Sequence, residues 1–249
     1  MTETAVVADH LRYRYPGRPT RALDDLSLEV AAGERVAVLG ANGSGKTTFA
    51  LHLNGLLLPD EGSVAVGGLP VAAPHLLEIR RRVGMVFQAP DDQLFSATVG
   101  DDVAFGPANL GLPRAEIDQR VETALEQVGA ADLRDRTPHH LSGGEKRRAA
   151  LATVLAMHPD VLVLDEPTAE LDPLGRRELA ETLIDLGSTQ IVVTHDLPFA
   201  LQTCARSVIF DGGRVVADGP TGDLLGDAAL LARHRLELPF GFAWPPPTS

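Results

Sequence analysis

Gly40-Ala41-Asn42-Gly43-Ser44-Gly45-Lys46-Thr47 is a glycine-rich octapeptide ending in a cation and a hydroxyl. Glycines at these spacings let backbone N–H groups converge on phosphate oxygens at the positive end of a following helix. Lys46 is then placed to reach β- and γ-phosphates, and the Thr47 hydroxyl to ligate Mg²⁺. Lys46 is one of only two lysines in a chain otherwise supplied with arginine, so its place here does not follow from a lysine-rich composition. Far downstream, Val161-Leu162-Val163-Leu164 runs into Asp165-Glu166. An aspartate at the end of a buried strand can hold Mg²⁺ directly or through water, and the next carboxylate can polarise an attacking water. Leu141-Ser142-Gly143-Gly144-Glu145 is a Ser-Gly-Gly turn opening a long helical pattern, a second N-terminus suited to an anion. One nucleotide has one set of phosphates, already cradled by the first loop. The second device therefore suggests a triphosphate clamped between two protomers.

Elements must hold these groups in place. Val6 to Tyr15 is rich in β-branched and aromatic residues and is broken by Pro16-Gly17, so it reads as a strand. Leu26, Leu28 and Val30 alternate with polar neighbours, as in a half-buried strand. Val36 to Leu39, Val161 to Leu164 and Gln190 to Thr194 read as strands buried on both faces, Val64 to Gly68 and Val83 to Phe87 as two more, and Pro59 to Gly62 as a turn. Ile117, Val121, Leu125 and Val128 recur at helical spacing, Gly144 to Met157 reads as a further helix, and another begins near Pro173. Ser207 to Val216, with Asp211-Gly212-Gly213 at its centre, predicts a hairpin. Strands at both ends with a helical insert predict an α/β protein: a parallel-sheet nucleotide core carrying a small helical subdomain.

Composition narrows the function. With 249 residues, 44% hydrophobic and 22% charged, the chain is long enough for one large core and too apolar to be mostly disordered. A net charge of −12 argues against a sequence-independent grip on nucleic acid, so no nucleic acid partner is expected. A single cysteine, Cys204, cannot form an internal disulfide and reads as a half-buried thiol. Met1 to His10 lacks the basic-then-apolar pattern of a signal peptide, and no stretch approaches the roughly 18–20 apolar residues that span a bilayer. The expectation is a cytosolic chain whose membrane role, if any, comes through a partner. His139-His140 read as shaping the turn before Leu141, and Arg80-Arg81-Arg82 as a solvated helix face.

Together the three motifs resemble the ATP-binding subunit of ABC (ATP-binding cassette) transporters, over roughly residues 5–225. The resemblance implies a P-loop nucleotide-binding core with an antiparallel β subdomain and a helical subdomain inserted at about 89–158. Residues 226–249 would form a C-terminal extension whose last residues, around Trp244-Pro245-Pro246-Pro247, are expected to be disordered. It implies ATP and Mg²⁺ as cofactors, with Gly40, Ala41, Asn42, Gly43, Ser44, Gly45, Lys46, Thr47 and Thr48 around the phosphates. Tyr15 would stack on adenine, with Tyr13 as the alternative. Thr47, Gln88 and Asp165 would hold the metal, and Gln88, Glu166 and the switch histidine His195 would serve hydrolysis. Ser142, Gly143, Gly144 and Glu145 would contact the γ-phosphate of the opposite protomer's ATP, while Ala169 to Asp172 cross the dimer interface.

The stretch Phe87-Gln88-Ala89-Pro90-Asp91-Asp92-Gln93-Leu94-Phe95, followed by Ala104-Phe105-Gly106, resembles the energy-coupling-factor branch of that family, importers of vitamins and transition metals. There Gln93 would begin a short helix, and the Gln88–Phe105 region would receive integral membrane subunits through Leu94, Phe95, Val99 and Phe105. Arg235 to Phe242 resembles the cobalt/nickel subgroup. The implied assembly is a homodimer, or a heterodimer with a paralogous ATPase, peripheral on the cytoplasmic face of the membrane. Two departures stand out: Glu145 replaces a common glutamine, and Glu170 a common small residue. A carboxylate near a triphosphate needs a cation, and Lys146, Arg147 and Arg148 are the nearest in sequence.

Overall fold

A computed structural model describes residues 3–242. In chain order the elements are β1 (Thr4–Tyr13), β2 (Leu23–Ala31), β3 (Arg35–Leu39), α1 (Lys46–Leu53), β4 (Glu61–Val66), β5 (Leu69–Pro70), α2 (Leu76–Arg82) and β6 (Val83–Val86). Three helices follow, α3 (Val99–Asn109), α4 (Arg114–Gln127) and α5 (Gly143–Leu155), then β7 (Val161–Asp165), α6 (Pro173–Asp185), β8 (Thr189–Val193) and α7 (Leu197–Thr203). The hairpin β9 (Arg206–Asp211) and β10 (Arg214–Pro220) precedes α8 (Thr221–Gly226) and α9 (Ala228–Arg233).

Six strands in the order β10-β9-β3-β8-β7-β6 form the main sheet, parallel except for the edge strand β10. The other four, β2-β1-β4-β5, form an antiparallel sheet. Strand periodicity explains how one sheet serves two cores. Val36, Val38, Val161, Val163, Ile191 and Val193 face the antiparallel sheet and α1. Their alternates Ala37, Leu39, Leu162, Leu164 and Val192 face the core shared with α3–α7. Every residue of β7 and β8 is buried, including the polar Thr189 and Gln190 at the start of β8, where Gln190 Nε2 donates to the Leu183 carbonyl.

The helical reading of residues 117–128 holds: Ile117, Val121, Ala124 and Leu125 are the buried face of α4, and Val128 is buried just beyond its end. The hairpin also forms where expected, with Gly212 and Gly213 both at positive φ (55° and 78°), as a two-residue loop between twisted strands requires. Other boundaries moved. The first strand stops at Tyr13, leaving Tyr15 in the following loop, and β4 already begins at Glu61 because Glu61 pairs with Arg12 of β1. His139 and His140 do sit in a short 3₁₀ turn before Leu141.

Gln93 does not begin a helix; it follows the 3₁₀ turn Pro90–Asp92, and α3 starts only at Val99, capped by the Thr98 hydroxyl. Leu225, Leu231 and Leu236 belong to the same core as the main sheet. The proline-rich tail lies outside the described residues. Among the described residues no helix is long and apolar enough to cross a membrane.

Phe49 anchors α1, fully buried and edge-on to Phe210 of β9 with ring centroids 5.5 Å apart. Phe49→Ala is expected to cost about 3–5 kcal/mol in urea unfolding followed by circular dichroism. Cys204 is buried at the end of α7, and burial pushes its thiol up to about 11. A disulfide reagent at about pH 8 should therefore leave the folded chain unlabelled and react only after denaturation.

Candidate nucleotide site

The glycine loop runs from the end of β3 into α1, and two glycines show why it cannot carry side chains. Gly40 sits at φ 150°, where a Cβ would lie 2.4 Å from the Phe210 carbonyl oxygen and 2.6 Å from Ser44 Oγ. Gly45, at φ 106°, is the N-cap of α1, and its Cβ would meet the Ala22 carbonyl oxygen at 2.6 Å. Lys46 is buried and donates from Nζ to the carbonyl oxygens of Gly40 (2.7 Å) and Ala41 (3.1 Å), which aims its ammonium along the loop and leaves one donor for a ligand. Burial pulls its pKa down, while Glu166 and Asp165 pull it back up.

The acid pair ends β7 beside this loop. Burial raises the Asp165 carboxyl above its usual range, a hydrogen bond from Thr47 opposes the shift, Glu166 adds to it, and Lys46 lowers it. Oδ1 of Asp165 is buried without a hydrogen-bond partner. A carboxylate oxygen stranded in this way, next to the Thr47 hydroxyl and facing a phosphate loop, fits a divalent cation. Glu166 takes a left-handed φ of 47°, its N–H donating to the Val193 carbonyl of β8 at 2.8 Å. Such backbone strain in a non-glycine residue is held only where the surroundings fix it. Its Oε2 accepts from His195 Nδ1 (2.8 Å), the His195 N–H (3.3 Å) and Thr194 Oγ1 (3.3 Å). His195 itself is exposed at the end of β8, so the pair presents one buried acid and one accessible imidazole.

A cleft of about 550 Å³ is lined by Tyr15, Asn42, Lys46, Thr47, Thr48, Gln88, Glu166 and His195. Tyr15 is partly exposed at its rim; its hydroxyl meets Thr48 Oγ1 at 3.3 Å and its ring stands edge-on to Tyr13. Tyr13 is buried behind it, edge-on to His52, which leaves Tyr15 as the ring available to a ligand. Arg18, Thr20, Arg21 and Ala22 also line the cleft and were missed in the sequence. Their only signal was position, in the loop opened by Pro16-Gly17. Ser142, Gly143, Gly144, Glu145 and Asp172 do not line this cleft. Asp172 caps α6, accepting from the Gly175 N–H at 2.7 Å, and the exposed Ser142 and Gly143 open α5 at the surface.

Glu145 resolves differently from expectation. It closes a capping box on Ser142: Oε2 accepts from the Ser142 N–H (2.8 Å) and Oγ–H (2.7 Å), and these bonds hold its carboxyl below the usual range. Its cation is Arg136, at 3.4 Å. Lys146 pairs with Asp91 at 2.6 Å, Arg148 lies 3.8 Å from Glu178, and Arg147 is buried elsewhere. Glu170, at φ 64°, partly offsets the desolvation of Arg147, which burial otherwise drives down.

A glycine cradle with its lysine, facing strand-end carboxylates at the carboxyl edge of a parallel sheet, defines a P-loop nucleoside triphosphatase. Residues 23–169 match the ABC transporter family. An ABC transporter ATP-binding protein of Streptomyces avermitilis is 57% identical over 93% of this chain and 88% of its own length. The cobalt import ATP-binding protein CbiO of Rhodobacter capsulatus is 49% identical over 94% and 85%, and the energy-coupling factor transporter ATP-binding protein EcfA of Methanothermobacter thermautotrophicus 47% over 92% and 75%. Among solved structures, CbiO1 of Clostridium perfringens, part of a cbiONQ transporter complex, superposes with a TM-score of 0.82 at 38% identity, covering 95% of this chain and 96% of that one. The dimeric cassette MJ0796 in a post-hydrolysis state with ADP and phosphate gives 0.79 at 27%, covering 87% and 98%. The chain belongs to the ABC transporter family of ATP-binding proteins, and it is an ATPase.

Gly40→Ala tests the cradle directly. The added methyl overlaps a backbone carbonyl, so thermal unfolding should show a loss of about 1–3 kcal/mol, and the stabilisation that MgATP gives the native chain should disappear.

Proposed function

We propose that this chain is the ATP-binding and ATP-hydrolysing subunit that powers an energy-coupling-factor type membrane importer, with a cobalt or nickel ion as cargo. The observation that carries the importer reading is the Phe95–Phe105 pair: two exposed aromatic rings, edge-on with centroids 5.0 Å apart, on the segment that follows Gln88. Leu94 and Val99, expected beside them as anchors, are core residues, which narrows the docking surface to the two phenylalanines. Asp102 is buried and accepts from the N–H groups of Phe95 (3.1 Å) and Ser96 (2.9 Å), so Phe95 stands on a fixed loop. Exposed aromatics held rigidly suit an apolar helix end of a membrane partner. The cargo assignment leans on the name of the Rhodobacter relative and on the Arg235–Phe242 segment.

In this reading Tyr15 stacks on adenine and the 40–48 loop binds the phosphates, with Lys46 on the β- and γ-oxygens. Thr47, Asp165 and Gln88 would hold Mg²⁺, which when bound neutralises phosphate charge. His195 and Thr194 fix Glu166 through Oε2, leaving Oε1 to accept a proton as water attacks the γ-phosphorus and the bond to the bridging oxygen breaks. The Ser142–Gly144 helix start lies away from this cleft and at the surface, as a group serving a second protomer's triphosphate must. ATP would favour the closed dimer, whether of identical or paralogous chains, and ADP the open one. The chain would act at the cytoplasmic face of the membrane.

Glu166→Gln should keep MgATP binding, lose roughly a hundredfold or more in kcat, and accumulate as an ATP-dependent dimer in light scattering. Turnover near the native rate would remove Glu166 from its role. The importer itself is tested by a tagged pull-down from gently solubilised membranes, with mass spectrometry of partners and elemental analysis. A polytopic membrane protein should co-purify with the native chain. The double variant Phe95→Ser, Phe105→Ser should lose it while ATPase activity in isolation persists. Recovery of soluble partners only would overturn the importer reading and leave the ATPase standing.

A further inference from the structure

Of the three cations at the start of α5, Arg147 alone is buried and makes no salt bridge among the described residues. Its side chain is buried, and it ends on two backbone carbonyls from different parts of the fold: Nη1 donates to Phe87 (3.2 Å) and Nη2 to Ala169 (3.2 Å). The Phe87 carbonyl belongs to the peptide plane that also carries the Gln88 N–H. Ala169 closes a turn on Glu166, its N–H donating to the Glu166 carbonyl at 3.1 Å. A single planar guanidinium therefore spans from the Glu166 turn to the root of Gln88.

Other bonds make the 87–93 segment ride on α5. Gln93 Oε1 accepts from the Phe87 N–H (3.3 Å), and its Nε2 donates to the Ala150 carbonyl (2.8 Å) and Thr153 Oγ1 (2.7 Å) of α5. Lys146, also on α5, holds Asp91. Phe87 is thus gripped at both its N–H and its C=O by side chains tied to one helix. Among these ties only that of Arg147 also reaches the 166–169 turn on the main sheet. Burying an arginine whose direct partners are carbonyls is costly, Glu170 and Glu166 offset only part of that desolvation, and its Nε has no partner. For packing alone an apolar side chain would serve better.

We propose that Arg147 is a positioning residue for ATP hydrolysis: its guanidinium sets the Phe87–Gln88 peptide against the Glu166–Ala169 turn, so that Gln88 enters the cleft in step with α5. This rests on the roles given above to Gln88 and Glu166. The fork geometry is essential, because an ammonium is a point donor on a flexible stem and cannot fix two carbonyls at a set separation.

The test uses the full chain with Arg147→Lys, and Arg147→Gln as the neutral variant should the lysine form fail to fold. Hydrogen–deuterium exchange should quicken at residues 87–90 and 168–171 together while the body of α5, residues 149–155, keeps its protection. Quickening throughout α5 would mean a purely structural role and overturn the proposal. In steady state, kcat should fall about tenfold or more with KM for ATP unchanged within about twofold. In a Gln88→Ala background the same substitution should cost no more than about twofold in kcat, since the group it positions is gone. An equal loss in both backgrounds, a loss confined to KM, or an unchanged kcat would each overturn it. Gln88→Ala alone separates the two claims: native turnover there sinks the role of Gln88, while the exchange measurement still decides whether Arg147 ties the two loops.

Discussion

The main sheet must be dry on both faces, and that constraint places the chemistry. Strands β3, β7 and β8 alternate their apolar side chains between two cores, and the polar groups they carry lie toward the strand ends: Arg35 in β3, Thr189 and Gln190 in β8, Asp165 in β7. Polar function can emerge only where each strand stops. Gly40 follows β3, Asp165 and Glu166 end β7, and Thr194 and His195 follow β8, all at the carboxyl edge. Parallel β3, β8 and β7 are neighbours in that order, so their ends converge without any further device. The Glu166–His195 bond is the product of this adjacency.

A second layer of organisation comes from the helices. The stretch between β6 and β7 packs α3, α4 and α5 over one face of the sheet and contributes about half of the buried core on that side. It presents two surfaces: the opening of α5 with its capping box, and the pair of Phe95 on the loop before α3 with Phe105 on α3 itself. Gln88 lies between them, at the junction with the sheet. The bonds of Gln93 and Arg147 tie the 87–93 segment, which runs on into Phe95, to α5 and to the Glu166–Ala169 turn.

Much of this was legible in the sequence, for a physical reason. Runs buried on both faces, such as Val161–Leu164, have a single structural outcome, and the glycine loop is constrained by backbone sterics that the glycines themselves announce. The same holds for the Gly212-Gly213 turn and for the apolar face of α4. What could not be read were partnerships between distant side chains. Glu145 looked like a liability beside a triphosphate, yet three-residue spacing from Ser142 makes it a cap, and its cation Arg136 comes from the preceding loop. Arg147 was expected as a cation for a carboxylate near the triphosphate and is instead a core residue bound to two backbone carbonyls. Leu94 and Phe95 are adjacent and apolar, and only the fold decides that one faces the core and the other faces out. Periodicity carries no signal in a segment that is neither helix nor strand.

Cys204 has a practical side. It is the only cysteine in the sequence and is sealed beneath α7 in an environment that disfavours its thiolate. The native chain is therefore already a blank background for thiol chemistry. A cysteine introduced at one surface position can be labelled selectively with a fluorophore, spin label or cross-linker, with no native residue removed. The chain thus comes ready for site-specific distance measurement.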